Sequence, residues 1–296
     1  MFIEKMGKKI ISIFERNSFK DLKKMIDNRF GFGLLERTLF VNWFNPFATL
    51  WLNLRSFPIK QAMKFPIWCY GRPRFYDLSG DMLIEGKIFS GMIRFNQVKS
   101  GAPSNMSVQS EMLNQGLIIF RGQGMIGTGN KIRVAPTAVL DIGRNFKITD
   151  MCNIGCFQEI FIGEQSRITH RCQIFDSNYH FVANFASGVV PKVKRAIHIG
   201  KGCWICNSST ITSGTVLPDF TIVASHSLVG KDFSEVPENS MIGGVPAKFI
   251  ATGFRKIENS KVELDIYKYY HENPEGLFSM PESATMDEYS FVDRYR

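Results

Sequence analysis

A six-residue spacing of branched aliphatic residues most constrains how this chain of 296 residues can fold. The spacing occurs in three series, which are Ile142, Ile148, Ile154 and Ile160, then Ile162, Ile168 and Ile174, and then Ile199, Ile205, Ile211, Leu217, Val223 and Val229. An α-helix has a period of about 3.6 residues and a half-buried strand a period of about 2, so neither keeps a strict six. A fixed short period indicates stacked identical units, and hexapeptides are typical of a parallel β-helix.

Three hexapeptides are expected to form one triangular coil, with successive coils about 4.8 Å apart. Each inward aliphatic residue then stacks on the residue eighteen positions later, which predicts Ile142 under Ile160 and Ile199 under Leu217. The phase changes between Ile160 and Ile162, so one corner must differ there. A β-sandwich with coincidental spacing is the alternative, and it is disfavoured because the last series keeps its phase through six consecutive repeats.

The composition favours one large elongated domain with appendages, since 44% of the residues are hydrophobic and 21% are charged. A net charge of +9 makes nucleic acid, anionic lipid and phosphate-rich ligands candidate partners. Nucleic acid is the weakest of these, because no helix-turn-helix, zinc-finger or RNA-recognition signature accompanies the charge. The N-terminus lacks the apolar region and cleavage site of a signal peptide, and a cytoplasmic location is expected.

Six cysteines are present, and Cys203 and Cys206 have CxxC spacing. A zinc site of this kind needs a second such pair or paired histidines, which the sequence does not provide. The spacing is better explained by small residues at repeat corners, and no metal is expected.

The N-terminal 75 residues are expected to form a helical and aromatic appendage, followed by a β-helix over 76–255 and an extension over 256–296. Residues 1–30 are basic and amphipathic, while residues 30–57 are rich in Phe, Trp and Leu. Asn42, Asn45, Pro46 and Asn53 interrupt this run, which argues against a transmembrane span. The segment either covers an end of the β-helix or lies in a membrane interface, and both can hold together. A short helix is predicted from Ser260 to Tyr270.

The repeat is interrupted between Ile174 and Ile199, where a loop leaves the stack. Loops held by a rigid scaffold are frequent sites of function. This loop contains the run Asp176-Ser-Asn-Tyr-His180, in which Asp176 and Asn178 could fix the tautomer of the His180 imidazole and stabilise its charged form. A basic run, 191–195, could meet phosphates or be a solvated charged loop.

The segment from Ile197 to Ile250 resembles the hexapeptide-repeat acyltransferases, in the group of maltose, galactoside and bacterial surface-polysaccharide O-acetyltransferases. The resemblance rests on the Trp204-Ile205 coil and on the closing run Val236-Pro-Glu-Asn-Ser-Met-Ile-Gly-Gly-Val-Pro-Ala-Lys248. It implies an all-β fold, a left-handed parallel β-helix of hexapeptide repeats, and a homotrimer with sites between subunits.

The resemblance also implies roles for individual residues. His180 would be the general base, assisted by Asp176. The residues that would contact coenzyme A are Trp204, Asn207, Ser225, Gly230, Lys231 and Lys248. Cys206, Pro218-Asp219 and Ser225 depart from the usual pattern of the family, which affects the expected coenzyme A contacts more than the reaction.

The function implied is transfer of an acetyl group from acetyl-CoA to a saccharide hydroxyl, in surface polysaccharide biosynthesis, with acetyl-CoA as co-substrate and no metal. The basic aromatic N-terminus adds a possible peripheral contact with the inner face of a membrane. Two alternatives stay open, a non-catalytic trimeric scaffold and a γ-type carbonic anhydrase-like metalloenzyme. The second is disfavoured because His170, His180 and His198 lack the required spacing.

Overall fold

The computed structural model describes residues 43–97 and 108–290. The basic helix expected over 1–30 and the aromatic segment up to residue 42 lie outside the described residues. The described helices are α1 (Pro46–Ser56), α2 (Ile59–Ala62), α3 (Ser260–Glu272) and α4 (Met286–Ser290).

The strands follow one another as the successive sides of a winding coil. The first six are β1 (Ile67–Cys69), β2 (Arg74–Asp77), β3 (Asp81–Ile84), β4 (Ile93–Phe95), β5 (Glu111–Asn114) and β6 (Leu117–Phe120). The next six are β7 (Gly124–Ile126), β8 (Lys131–Val134), β9 (Val139–Ile142), β10 (Phe146–Ile148), β11 (Asn153–Cys156) and β12 (Glu159–Ile162). The remainder are β13 (Arg167–Ile168), β14 (Gln173–Phe175), β15 (Ile197–Ile199), β16 (Trp204–Ile205), β17 (Thr210–Thr212), β18 (Val216–Leu217), β19 (Ile222–Val223), β20 (Leu228–Val229), β21 (Ser240–Gly244) and β22 (Ala247–Thr252).

These strands form three sheets, which are the three faces of a prism. The first sheet has the order β1-β4-β7-β10-β13-β16-β19-β21-β22, the second β2-β5-β8-β11-β14-β17-β20, and the third β3-β6-β9-β12-β15-β18. Every third strand therefore returns to the same face. The ladders are parallel except for the closing β21–β22 hairpin. The prediction of a left-handed parallel β-helix is confirmed.

The aliphatic repeat fills the interior of the prism, and its isoleucines are almost completely buried. Ile199 pairs with Leu217, as the repeat predicts. The prediction that Ile142 lies under Ile160 is wrong, because Ile142 pairs with Ile162 and Ile160 pairs with Leu140. Strand β12 buries both Ile160 and Ile162, since alternate residues of a strand point to the same side. The apparent change of phase is thus one strand that contributes two inward residues.

Close contact between coils explains a column of glycines at one corner. A Cβ added to Gly143 would lie 2.3 Å from the amide nitrogen of Glu164, and one added to Gly163 would lie 2.5 Å from the carbonyl carbon of Gly200. Both distances are shorter than real Cβ contacts allow, and backbone cannot move aside easily. Glycine is required there by the approach of the next coil.

Helix α1 covers the N-terminal end of the stack through polar side chains. The Asn53 amide donates to the carbonyl of Ile67 (2.7 Å), and the Ile67 N–H donates back to Asn53 Oδ1 (3.1 Å). The hydroxyl of Thr49 accepts from the N–H of Cys69 (3.0 Å). These bonds satisfy the outer edge of β1, which pairs with no further strand on that side among the described residues. The described part of the aromatic segment therefore covers an end of the β-helix. The stack begins with β1, before the expected boundary at residue 76, and the division into domains stays a prediction.

Candidate active site

The loop that interrupts the repeat leaves the prism at the edge between the second and third sheets, here called the loop edge. It joins β14 to β15 and is exposed over nearly all of residues 178–194. The candidate base His180 lies in its first part. The loop edge therefore carries the histidine that the sequence predicts as the base.

Asp176 attaches the start of this loop to the neighbouring coil. Its Oδ1 accepts from the N–H of Phe157 (2.7 Å), and its Oδ2 accepts from the N–H groups of Gln158 (2.7 Å) and Glu159 (2.8 Å). The residue is completely buried. Burial raises the pKa of the Asp176 carboxyl, and the three N–H donors, which act in the opposite direction, do not cancel the effect. The carboxylate replaces the acceptors that a regular corner would supply to these amides.

Arg195 attaches the other end of the loop. Its backbone N–H donates to the carbonyl of Asp176 (3.1 Å), which closes the base of the loop. Its guanidinium donates to the carbonyl of Ser213 (2.9 Å) on the next coil. A Cβ on Gly214 would lie 2.8 Å from the guanidinium carbon, so this glycine admits the arginine. A buried aspartate at one end and an exposed arginine at the other thus hold the long exposed loop.

His180 is exposed, and its backbone N–H donates to the carbonyl of Asn178 (2.7 Å). In the part of the chain that the structure describes, no hydrogen bond joins its ring to Asp176, whose oxygens both bind backbone amides. The partners of Asp176 differ from those expected from the sequence, and its pairing with His180 stays a prediction. The imidazole is free to meet a ligand or a second subunit.

A cleft of about 320 Å³ lies on the second sheet beside the base of the loop. Tyr179, the residue before His180, forms one wall and packs edge-on against Phe157, with ring centroids 4.7 Å apart. Arg133 lies over the other side of Phe157, 5.4 Å from its centroid, and also lines the cleft. The walls of the cleft therefore carry aromatic and cationic side chains, and one of them, Tyr179, precedes the candidate base directly in the chain.

The predicted coenzyme A residues lie at three places on the prism. Asn207 and Ser225 meet at the corner between the first and second sheets, where the Ser225 hydroxyl donates to Asn207 Oδ1 (2.8 Å). Gly230 and Lys231 follow β20 and precede Asp232, which bridges to Val216 at the start of β18. These two residues therefore share the loop edge with His180.

Trp204 and Lys248 lie on the first sheet, in β16 and β22. The indole Nε1 of Trp204 is buried and has no hydrogen-bond partner among the described residues. The ammonium group of Lys256 lies 5.5 Å from the centroid of the Trp204 ring. Trp204 is thus partly covered by the C-terminal extension, and it lies on the first sheet, whereas His180 belongs to the loop between the second and third sheets.

The extension is held on the first sheet by Glu258. Its carboxylate receives two hydrogen bonds from the guanidinium of Arg167, Nε to Oε1 at 3.1 Å and an Nη to Oε2 at 2.9 Å, and it also pairs with Lys256. Burial alone raises the pKa of the Glu258 carboxyl, but the nearby charges of Arg167 and Lys256 outweigh burial and lower it. Arg255 stacks on Phe220 with its guanidinium carbon 3.4 Å from the ring centroid. No sequence pattern predicts these contacts, because they depend on coil register.

Replacement of Glu258 by Gln is expected to lower the free energy of unfolding by about 1–3 kcal/mol at neutral pH, since a charged hydrogen bond is lost. Because the folded-state pKa of Glu258 is lowered, its contribution is complete above the ordinary carboxyl pKa and is lost as pH falls through the lowered value. Urea unfolding of both proteins between pH 7 and pH 3 measures this. The difference should shrink towards acid pH, and a difference independent of pH would contradict the role given to the charge.

A second cleft, of about 400 Å³, lies on the third sheet. Phe161 and His198 stack within it, with centroids 4.6 Å apart, and Arg121, Arg144 and Lys201 line it. These three cations form ion pairs with Asp141, Glu164 and Asp219. Across residues 43–97 and 108–290, no group of three or more His, Cys, Asp or Glu side chains is arranged to hold a metal ion. All six cysteines are buried and free.

The chain is similar in sequence to a curated bacterial protein. The chain is 26% identical over 145 residues to the "Putative lipopolysaccharide biosynthesis O-acetyl transferase WbbJ" of Escherichia coli (strain K12), a match that covers 46% of this chain and 72% of WbbJ. The resemblance to hexapeptide-repeat O-acetyltransferases is thereby confirmed. A scan against protein-family models finds no match.

Solved structures similar to the chain include the polySia-specific acetyltransferase NeuO, at 19% identity and a TM-score of 0.40, covering 77% of this chain and 95% of NeuO. They also include a hexapeptide-repeat acetyltransferase of Vibrio cholerae O1 biovar eltor complexed with acetyl coenzyme A. Its identity is 22% and its TM-score 0.33, covering 38% of this chain and 60% of that one. At TM-scores below 0.5, neither likeness bears on function.

Proposed function

We propose that this protein is an acetyl-CoA-dependent O-acetyltransferase that acts on a saccharide hydroxyl in surface polysaccharide biosynthesis. The sequence relationship to WbbJ supports the reaction class. The assignment to a site rests on the position of His180. This residue is exposed on an anchored loop next to a cleft that has Tyr179 in its wall.

In the proposed reaction, the His180 imidazole takes the proton of an acceptor hydroxyl as its oxygen attacks the thioester carbonyl carbon. A tetrahedral intermediate forms, and a backbone N–H at a coil corner receives its oxyanion. The C–S bond then breaks, and the departing sulfur of coenzyme A takes the proton from the imidazolium. A positioned general base contributes about 10²–10⁴ in rate. Holding both substrates in place contributes further.

The coenzyme would lie along an edge of the prism. Gly230 and Lys231 share the loop edge with His180, and Lys231 would meet phosphate groups there. Asn207 and Ser225 form a polar corner that would receive carbonyls of the pantetheine arm. Trp204 would contribute a buried indole N–H that has no hydrogen-bond partner within residues 43–97 and 108–290, and Lys248 would contribute an exposed ammonium group.

A homotrimer with sites between subunits is part of the proposal. Within one chain, His180 leaves from the loop edge while Trp204 and Lys248 belong to the first sheet. Packing the loop edge of one copy against the face of its neighbour that carries Trp204 and Lys248 would bring those two residues close to His180. Exposed Phe181 and Phe185 on the loop would be covered by that contact.

The test is release of free thiol from acetyl-CoA by the purified full chain, with and without candidate acceptors such as oligosaccharides and lipid-linked saccharides. Acceptor-dependent release is expected, with one new O-acetyl ester per thiol detected by mass spectrometry. Thiol release that never depends on a saccharide would reject the acceptor class. A trimeric protein with no release and no coenzyme A binding would favour the non-catalytic scaffold.

A cytoplasmic location at the inner face of a membrane also belongs to the proposal. Over the described ranges, no helix has the length and apolar character needed to cross a bilayer. Membrane contact would be peripheral and would involve the N-terminal end of the prism, which helix α1 covers.

A further inference from the structure

Helix α1 buries a mostly polar side and exposes its apolar side, which is the reverse of an ordinary surface helix. Its inward side carries Thr49, Asn53 and Ser56 together with Leu52, all buried. Thr49 and Asn53 satisfy the edge of β1, as described above, while the buried Ser56 hydroxyl has no partner among the described residues. The apolar residues of the helix are consequently displaced to the outside, where a helix in water normally carries polar side chains.

The exposed apolar residues of α1 and α2 are here called the cap surface. It consists of Phe47, Leu50, Trp51 and Leu54 of α1, with Ile59 and Met63 at α2. Phe47 is 81% exposed, Trp51 60%, Ile59 66% and Met63 60%. The four α1 residues have helical spacing of one face, i, i+3, i+4 and i+7. An apolar face of this kind indicates an interaction site.

The segment that forms the cap surface is basic, although the carboxylate of Asp77 lies near Arg55. Residues 43–76 contain five Lys or Arg and no Asp or Glu. Arg55, Lys60 and Lys64 belong to α1, α2 and the turn after them and are exposed. The preceding residues 1–42 add nine Lys or Arg against five Asp or Glu, so the basic character continues along the chain. Aromatic and aliphatic side chains bordered by cations match the interface of an anionic bilayer.

We infer that the cap surface docks the N-terminal end of the prism on an anionic membrane, with Phe47, Leu50, Trp51 and Leu54 in the headgroup region and Arg55, Lys60 and Lys64 against lipid phosphates. The prism then stands with its first coil at the bilayer, and the loop edge lies further along the same body. The inference is independent of acetyl transfer. It adds to the proposed function by placing a lipid-linked saccharide within reach.

Vesicle co-sedimentation of the full chain tests the docking directly. Binding is expected to vesicles of phosphatidylcholine with 30% phosphatidylglycerol, and much less to phosphatidylcholine alone. The double variant Phe47→Ser/Trp51→Ser and the double variant Lys60→Glu/Lys64→Glu should each reduce binding by about tenfold or more. The controls Leu277→Ser/Met280→Ser and Lys261→Glu/Lys268→Glu change exposed apolar residues and exposed lysines in the C-terminal extension and should bind normally. Wild-type binding by both cap variants would overturn the inference.

A fluorescent label identifies what covers the cap surface. Trp51→Cys provides an accessible thiol, because all six native cysteines are buried. An environment-sensitive dye at this position should shift to shorter wavelength when anionic vesicles are added. A short-wavelength spectrum without vesicles would overturn the inference. If that spectrum is independent of dilution, another part of the chain covers the surface, and if it is lost on dilution, a second copy does. Since neither readout uses acetyl-CoA, failure here would reject membrane docking and leave the proposed acetyl transfer untouched.

Discussion

His180→Ala is expected to lower acceptor-dependent thiol release by at least about a hundredfold, since a positioned general base contributes about 10²–10⁴ in rate. The exposed imidazole makes no hydrogen bond within the described chain, so its removal should leave the fold unchanged. The loss should fall on kcat, while KM for acetyl-CoA changes little. Steady-state assays, together with the thermal unfolding midpoint of the same preparation, measure both effects.

Two further variants make this result specific. His180→Gln keeps a polar side chain of similar size that cannot accept a proton near neutral pH, so it should be as inactive as His180→Ala. His271→Ala removes an exposed histidine at the end of α3 and should retain full activity. Activity of His180→Ala within a few fold of the wild-type value would remove His180 from the role of base.

The sequence predicted the fold in considerable detail because the β-helix repeats one local rule. Each inward Ile of the last series occupies the position that its spacing requires, as Ile199 under Leu217 shows. Spacing failed for Ile142 because it cannot reveal that β12 has two inward residues. A six-residue count assumes that each side of a coil has one inward residue. A side with a longer strand has two inward residues, which are two positions apart in the sequence.

The candidate site could be predicted only in part. The break in the repeat identified the loop and its histidine, since both are local features of the sequence. The partners of Asp176 were not predictable, because three amides at positions 157–159 become its neighbours only when two coils stack. The contact of Arg167 with Glu258 joins residues 91 positions apart, and no periodicity links them. Trp204 was therefore expected to be open to a ligand, whereas the C-terminal extension lies against it.

Three of the described regions depart from the repeat, and they lie at different places on the prism. Helix α1 occupies the N-terminal end, the loop leaves one edge, and the C-terminal extension lies on the first sheet. Helix α1 and the loop are fixed by polar side chains that satisfy a strand edge or a coil corner, and the extension by the ion pair of Glu258 with Arg167. The polar residues that matter most for stability are thus those where a regular hydrogen-bond ladder stops.

Replacement of Asp176 by Ala is expected to lower the free energy of unfolding by about 3–5 kcal/mol. Three backbone N–H groups lose their acceptor together, and a buried donor without a partner costs about 1–3 kcal/mol, with water at the loop edge recovering part of the loss. Asp176→Asn retains one acceptor oxygen and turns an NH₂ group towards the remaining N–H, so it should show a smaller loss. Urea unfolding at neutral pH measures both values. A change below about 1 kcal/mol for Asp176→Ala would show that the three bonds do not anchor the loop.

The same two variants separate anchoring from a part in catalysis. If Asp176 serves only to hold the loop, Asp176→Asn should recover wild-type kcat at temperatures well below its unfolding midpoint, since His180 then keeps its place. If Asp176 also orients the imidazole, kcat should stay low in the folded Asp176→Asn protein, with KM unchanged and a shifted pH profile. The geometry favours anchoring, because both carboxylate oxygens already bind the amides of Phe157, Gln158 and Glu159 at 2.7–2.8 Å.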